Sequence, residues 1–123
     1  GLTGDYGGTY LLTQMVGTAK ARELYMLADR IDMGEAHRLG LVNWVVPAAE
    51  LEAHTRDIAR RLADGPRLAL GLIKDNLNRA LKASFADCLD AESANLARAR
   101  ETEDHKEAAR AFAEKRKPVF KER

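Results

Sequence analysis

Apolar residues recur at intervals of three and four along most of the chain, which is the spacing that places them on one face of an α-helix. This pattern predicts helices over residues 9–15, 19–28, 34–39, 48–63, 66–82, 85–100 and 103–117. Side chains able to cap a helix precede several of these segments, and glycine or proline breaks lie between them. The predicted caps are Thr18, Asp32, Ser84 and Thr102. We therefore expect a chain that is mainly α-helical.

The longer helices carry broad apolar faces. We expect the helix over 66–82 to bury one set of side chains and the helix over 85–100 to bury another. The first set is Ala69, Ile73, Leu77, Ala80 and Leu81, and the second is Phe85, Cys88, Leu89 and Leu96. A monomer of 123 residues would have difficulty covering all of these faces, so contacts with further copies of the chain are expected.

The segment "LVNWVVP", residues 41–47, is the only good strand candidate. It is short, rich in β-branched residues and closed by a proline. One strand cannot form a sheet alone, and the chain offers no convincing partner. The segment therefore suggests that these residues belong to a larger structure, with a first part over 1–47 and a helical part over 48–123.

Composition and charge exclude several classes of protein. The 20 Lys and Arg residues nearly balance the 19 Asp and Glu residues, which argues against binding to nucleic acid. No apolar run has the length that a membrane-spanning helix needs, so no membrane contact is expected. The only cysteine, Cys88, cannot form an intrachain disulfide, and this favours a reducing compartment such as the cytoplasm. The histidines are far apart in the sequence, and no metal site is expected.

Three segments together carry a family resemblance. They are "GLTGDYGGTYLLTQMVGTAKARELYMLADRIDMGEAHRLGLVNWVVP", "GPRLALGLIKDNLNRAL" and "TEDHKEAARAFAEKRKPVF". In this order and spacing they resemble the C-terminal portion of the crotonase family of enoyl-CoA hydratases and isomerases. The resemblance implies that residues 1–47 end the α/β spiral core (ClpP-like) of that fold. It also implies that residues 48–123 form its helical trimerisation region, giving a trimer or a dimer of trimers.

The function implied by the resemblance is hydration of an enoyl-CoA thioester in fatty acid metabolism. Water would add across the 2,3-double bond, with the CoA thioester as substrate and no separate cofactor. Isomerisation of the double bond is the nearest alternative, because it uses the same enolate. The backbone donors that polarise the thioester are absent from this chain, so the isolated chain is expected to be inactive. A non-catalytic oligomerisation fragment is the alternative of a different class.

Asp5 lies in the glycine-rich start of the chain and has two interpretations. It could cap the helix that follows, which would favour the carboxylate form. By resemblance it matches an aspartate that acts as base or nucleophile in some branches of the family. In that case Tyr6 and Leu12 would line the acyl pocket and Gly7 and Gly8 would let the backbone approach the substrate. Packing in a core and ordinary turn chemistry are the alternatives for these four residues.

Phe112 and Lys115 form the second candidate pair. They are three residues apart in the predicted helix 103–117 and would therefore share a face. By resemblance, a phenylalanine and a lysine at this place hold the nucleotide of CoA, with the ring against the adenine and the ammonium near a phosphate. A packed ring and a lysine favoured by the helix dipole are the alternative.

Overall fold

The computed structural model describes residues 1–121 as a series of α-helices joined by short loops. The helices are α1 Gly8–Leu27, α2 Met33–Arg38, α3 Leu51–Ala63, α4 Arg67–Ala80, α5 Phe85–Arg100 and α6 Glu103–Ala113. A short 3-10 helix, Ala48–Glu50, leads into α3. The predicted mainly helical character is therefore confirmed. None of the helices within these residues combines the length and the apolar composition needed to cross a bilayer.

Helix α1 contains the break that the sequence predicts near its centre. Gly17 has φ 77° and ψ 167°, so the helical path is interrupted there and then resumes. A backbone with this φ and ψ is open essentially only to glycine. The two predicted helices 9–15 and 19–28 are thus the two arms of one kinked helix.

Side-chain caps start three of the remaining helices at the predicted positions. The Asp32 carboxylate accepts from the Glu35 N–H at 2.8 Å at the start of α2. The Thr102 hydroxyl accepts from the His105 N–H at 3.1 Å at the start of α6. These bonds satisfy backbone donors that the first turn of a helix leaves without a partner.

A reciprocal capping box starts α5. The Ser84 hydroxyl oxygen accepts from the Asp87 N–H at 3.2 Å, and the Asp87 carboxylate accepts from the Ser84 N–H at 3.4 Å. The Asp87 carboxylate also accepts from the Ser84 hydroxyl at 2.6 Å. Hydrogen bonds from the Ser84 side chain and backbone lower the pKa of Asp87. The start of α5 is therefore fixed within the four residues 84–87.

The predicted strand over 41–47 is wrong for this chain. Within residues 1–121 no strand is formed, and this segment has no ladder of backbone hydrogen bonds. A strand exists only when a neighbouring strand pairs with its N–H and C=O groups, and residues 1–121 supply no such neighbour. The β-branched composition of the segment could not reveal whether a partner was present.

The chain divides into two units, Gly1–Leu51 and Glu52–Arg123. In the first unit the buried apolar residues are Ala21 and Ala36. In the second unit α4 packs on α5 and α5 packs on α6, and the buried apolar residues are Leu72 and Ala111. A hydrogen bond from the Asn95 amide to the Asn76 side-chain oxygen, 2.6 Å long, joins α5 to α4.

Most of the side chains predicted to be buried on α4 and α5 are exposed. Phe85 is 83% exposed, although its helix face is apolar. The periodicity identified an apolar face, but the described chain does not provide enough surface to cover it. Within the described part of α4 only Leu72 is buried. The predicted residues that stay exposed are Ile73, Leu77, Ala80, Leu81, Phe85, Leu89 and Leu96.

The capping box predicts the effect of Ser84→Ala. The substitution leaves a first-turn donor without its acceptor and should lower the free energy of unfolding by about 1 kcal/mol. Urea unfolding of the protein, followed by far-ultraviolet circular dichroism, measures the change. Ser93→Ala in the exposed middle of α5 is the matched control and should be neutral or slightly stabilising, because alanine favours helix. Equal losses for both variants would contradict the capping role.

Candidate functional site

The glycine-rich segment before α1 folds into a tight turn. The Gly8 N–H donates to the Asp5 carbonyl oxygen at 2.8 Å, and the two central residues both have positive φ, 49° for Tyr6 and 77° for Gly7. Positive φ at both central positions is the signature of a type I′ turn. Glycine accepts this geometry easily, whereas a left-handed backbone at tyrosine costs about 1–2 kcal/mol. Non-glycine residues held in such conformations cluster at functional sites.

The turn removes Asp5 from the capping position. The N-cap residue of α1 is Gly7, which has no side chain to accept a hydrogen bond. Asp5 contributes only its backbone carbonyl to the turn, and its exposed carboxylate makes no hydrogen bond or ion pair within residues 1–121. The interpretation of Asp5 as a helix cap is therefore wrong. Within residues 1–121 the turn leaves the Asp5 carboxylate without a partner, three residues before the helix begins at Gly8.

Tyr25 lies against the glycine-rich segment and limits the space at Gly4 and Gly8. A Cβ atom placed on Gly8 would lie 2.6 Å from the Tyr25 hydroxyl oxygen, and one placed on Gly4 would lie 3.2 Å from Tyr25 Cε1. A side chain at Gly7 would meet no atom within 4 Å, so glycine is favoured there by its φ alone. Sequence reasoning missed the role of Tyr25. Tyr25 lies 17 positions after Gly8 in the sequence. Its place on the apolar face of the predicted helix already explained why the residue is there.

The other residues predicted for the acyl pocket do not meet around one cavity in this unit. Tyr6 is 97% exposed, and Leu12 is half-buried in the first arm of α1. An open groove does follow α1 across the kink at Gly17. Its lining residues are Thr9, Thr13, Thr18, Ala21, Arg22, Tyr25 and Met26, and Asp5, Tyr6 and Leu12 are not among them.

The second candidate site lies where α6 ends. The helix stops at Ala113, earlier than the predicted end at 117, because the chain adopts a left-handed bend at Lys115 with φ 52°. The Lys115 N–H donates to the Phe112 carbonyl at 3.2 Å, and the Arg116 N–H donates to the Ala111 carbonyl at 3.0 Å. This pair of bonds is a Schellman motif, in which the left-handed position is usually glycine. Lys115 therefore lies beyond the helix and does not share a helical face with Phe112.

An ion pair holds the chain that follows the bend. The Arg116 guanidinium donates to both Glu107 oxygens, at 2.6 and 3.1 Å, and its Nε donates to Glu114 at 2.6 Å. The hydrogen bonds from Arg116, with a further one from the Val119 N–H, lower the pKa of Glu107 from 4.5 to about 2. The contacts with Glu107 and Glu114 raise the pKa of Arg116. Both groups thus stay charged at neutral pH.

The tail then continues back along α6. The Val119 N–H donates to Glu107 Oε1 at 3.1 Å, and the Lys121 N–H donates to Asp104 Oδ1 at 2.9 Å. Asp104 is the one polar residue buried within the described chain, at 6% exposure, and this backbone bond gives its carboxylate a partner. The helix supplies the carboxylates, and the tail supplies the donors.

The two predicted CoA-binding residues are both accessible at this bend. Phe112 is 87% exposed, although it follows the fully buried Ala111. The exposed Lys115 ammonium makes no hydrogen bond or ion pair within residues 1–121. The alternative of a packed ring at Phe112 is therefore wrong for this chain. The bend therefore exposes the Phe112 ring and the Lys115 ammonium.

The close approach of Tyr25 to Gly8 predicts a coupled pair of substitutions. Gly8→Ala should lower the free energy of unfolding in the native background, because the new methyl group overlaps the tyrosine hydroxyl. In a Tyr25→Phe background the nearest ring atom is 3.9 Å away, so Gly8→Ala should be tolerated there and stabilise α1 by up to about 1 kcal/mol. Chemical unfolding of the four proteins in this double-mutant cycle measures the coupling. Additive effects would show that the contact carries no energy.

Comparison with known proteins agrees with the predicted family. The sequence model of the enoyl-CoA hydratase/isomerase family matches residues 1–123. A short-chain-enoyl-CoA hydratase of Clostridium acetobutylicum is 38% identical over 117 residues, covering 95% of this chain and 45% of the relative. A 1,2-epoxyphenylacetyl-CoA isomerase of Escherichia coli is 36% identical over 120 residues, covering 98% of this chain and 46% of the relative.

A solved structure shows the same fold. The crystal structure of an enoyl-CoA hydratase subunit of Geobacillus kaustophilus superposes with a TM-score of 0.92 and 38% identity, over 97% of this chain and 46% of that one. The chain thus spans a little under half the length of the proteins that it matches. The family and fold inferred from the three sequence segments are confirmed, and the chain belongs to the enoyl-CoA hydratase/isomerase family.

Proposed function

We propose that the chain is part of an enoyl-CoA hydratase that adds water across the 2,3-double bond of an enoyl-CoA thioester. The family match and the hydratase among its relatives support this reaction. The observation that carries the proposal is the exposed Asp5 carboxylate, which the type I′ turn keeps free of hydrogen bonds within residues 1–121. A carboxylate without a structural partner can exchange protons with a substrate or a water molecule.

The mechanism divides the work between this chain and the rest of the enzyme. Addition of water to the β-carbon produces a thioester enolate, and backbone N–H donors outside this chain would stabilise its oxyanion. Asp5 would hold the water or transfer a proton at the α-carbon, alone or with a second carboxylate. Tyr6 and Leu12 would contact the acyl group, and Gly7 and Gly8 would let the turn approach the thioester closely.

Isomerisation of the double bond is the second candidate. It passes through the same enolate and needs a carboxylate that moves a proton between two carbons. The similarity to a relative named as an isomerase favours it, and Asp5 could move the proton in this reaction as well. Supplying the whole enzyme with a 2-enoyl and a 3-enoyl thioester separates the two reactions, because only a hydratase converts the first to a 3-hydroxyacyl product.

For the other parts of the chain we propose binding and assembly. Phe112 and Lys115 would contact the nucleotide part of CoA, since both side chains are exposed at the bend after α6. The uncovered apolar side chains of α4 and α5 would be buried between subunits of a trimer or a dimer of trimers. Residues 1–47 would complete the spiral core and residues 48–123 would serve this assembly. The enzyme would act on acyl-CoA in the cytoplasm, where a free Cys88 thiol persists.

Asp5→Asn tests the catalytic role. The substitution keeps the size of the side chain and the backbone turn but removes the ionisable group, so kcat for crotonyl-CoA hydration should fall by a factor of about 100 or more. Stability should be unchanged because the carboxylate bonds to nothing within the described chain. Asp29→Asn, at another exposed aspartate of the same unit, is the matched control and should retain full activity. Normal turnover in Asp5→Asn would exclude a catalytic role.

Lys115→Ala tests the contact with CoA. Loss of one charged contact should raise KM for crotonyl-CoA by about tenfold and leave KM for crotonyl-pantetheine, which lacks the nucleotide, unchanged. Steady-state kinetics with the two esters measure the difference. Lys117→Ala removes a charge two residues away and serves as the control. Equal effects of Lys115→Ala on both esters would be incompatible with a contact to the nucleotide.

A further inference from the structure

Two neighbouring cations at the bend after α6, Lys115 and Arg116, have opposite roles. Arg116 is paired with two carboxylates, because its guanidinium donates to Glu107 and to Glu114. Lys115 precedes it in the chain, and its exposed ammonium has no partner within residues 1–121. Arg116 is therefore engaged in the structure of the bend, whereas Lys115 is available to an anion from solution.

The backbone at Lys115 needs support from its surroundings. A left-handed lysine at the end of a helix is less stable than glycine in the same place, so the bend persists only if other contacts favour it. The Schellman hydrogen bonds supply part of that support. The bidentate Glu107–Arg116 pair adds to it, since it joins the residue after the bend to α6 two turns earlier. The Val119 N–H bonds to the same carboxylate and extends the attachment into the tail.

We infer that Glu107 and Arg116 are positioning residues for CoA binding, which hold the left-handed bend that presents Lys115 to a phosphate of the ligand. This inference rests on the proposed contact between Lys115 and the CoA nucleotide. Neither Glu107 nor Arg116 touches the ligand in this arrangement. They affect the affinity for CoA by fixing the position of the Lys115 ammonium.

Glu107→Gln gives the sharpest test, because two explanations predict opposite signs. CoA is a polyanion, so removal of a negative charge near its site should tighten binding if only long-range electrostatics matters. If Glu107 holds the bend, the same substitution should weaken binding of CoA three- to tenfold. Calorimetric titration of the whole enzyme with CoA measures Kd. Glu103→Gln removes the same charge from the first turn of α6 and is the matched control, with Kd unchanged or slightly lower.

A double-mutant cycle then shows whether the effect passes through Lys115. Arg116→Gln should weaken CoA binding three- to tenfold in the native background and have no effect in a Lys115→Ala background. Exchange of the two charges, Glu107→Arg with Arg116→Glu, should restore Kd to within about twofold of the native value.

The possible failures are distinguishable. An unchanged Kd in Lys115→Ala would remove the proposed nucleotide contact and this inference with it. A weaker Kd in Lys115→Ala, together with native or tighter binding in Glu107→Gln, would keep the nucleotide contact and overturn only the positioning role. Equal losses from Arg116→Gln in both backgrounds would also overturn that role, since the arginine would then act independently of Lys115.

Discussion

The structure depends on local hydrogen bonding at the ends of its helices. The described chain buries few large apolar side chains, so packing alone cannot decide where one helix stops and the next begins. Carboxylates and hydroxyls at Asp32, Ser84 and Thr102 accept the first free N–H groups of three helices. At the end of α6, the left-handed backbone at Lys115 lets the N–H groups of Lys115 and Arg116 donate to carbonyls of the last helical turn. These short-range bonds define the positions from which every longer-range contact is made.

Both candidate sites lie at such helix boundaries. Before α1, a type I′ turn uses the carbonyl of Asp5 and leaves its carboxylate without a partner in the described part of the chain. After α6, Arg116 is engaged at the bend, whereas the neighbouring Lys115 ammonium has no partner among residues 1–121. In each case backbone geometry that is unusual for the residue concerned holds one charged side chain away from structural partners. A helix boundary therefore has two effects here, since it ends the regular hydrogen bonding and exposes a charged side chain.

Much of the secondary structure could be predicted from the sequence, because caps and breaks are local signals. Ser84 and Thr102 lie within three residues of the donors that they satisfy, so a short window contains the whole interaction. A short window could not decide whether residues 41–47 form a strand, since a strand depends on a partner strand that can be distant in sequence. The early end of α6 was also missed, because a lysine in the left-handed region is an exception to the preference for glycine.

The candidate sites were predicted with uneven success for similar reasons. The sequence identified Asp5, Phe112 and Lys115 as candidates, but it could not separate a capping carboxylate from a free one. That choice depended on Gly7 being the N-cap residue. The contact between Tyr25 and Gly8 and the pair of Glu107 with Arg116 join residues far apart in the chain or beyond a bend. No periodicity signals such contacts, because they depend on where the chain turns.

The kink at Gly17 has a consequence for how this family can vary. Its φ of 77° and ψ of 167° lie where only glycine is comfortable, yet a Cβ atom there would meet no neighbour within 4 Å. Every side chain is therefore disfavoured at a position that has ample room for one. In a survey of tolerated substitutions such a residue would be as restricted as a catalytic group, although a Cβ atom there would meet no neighbour in the described chain. Restriction to glycine at this position would therefore reflect the backbone conformation and would not indicate a catalytic or binding role.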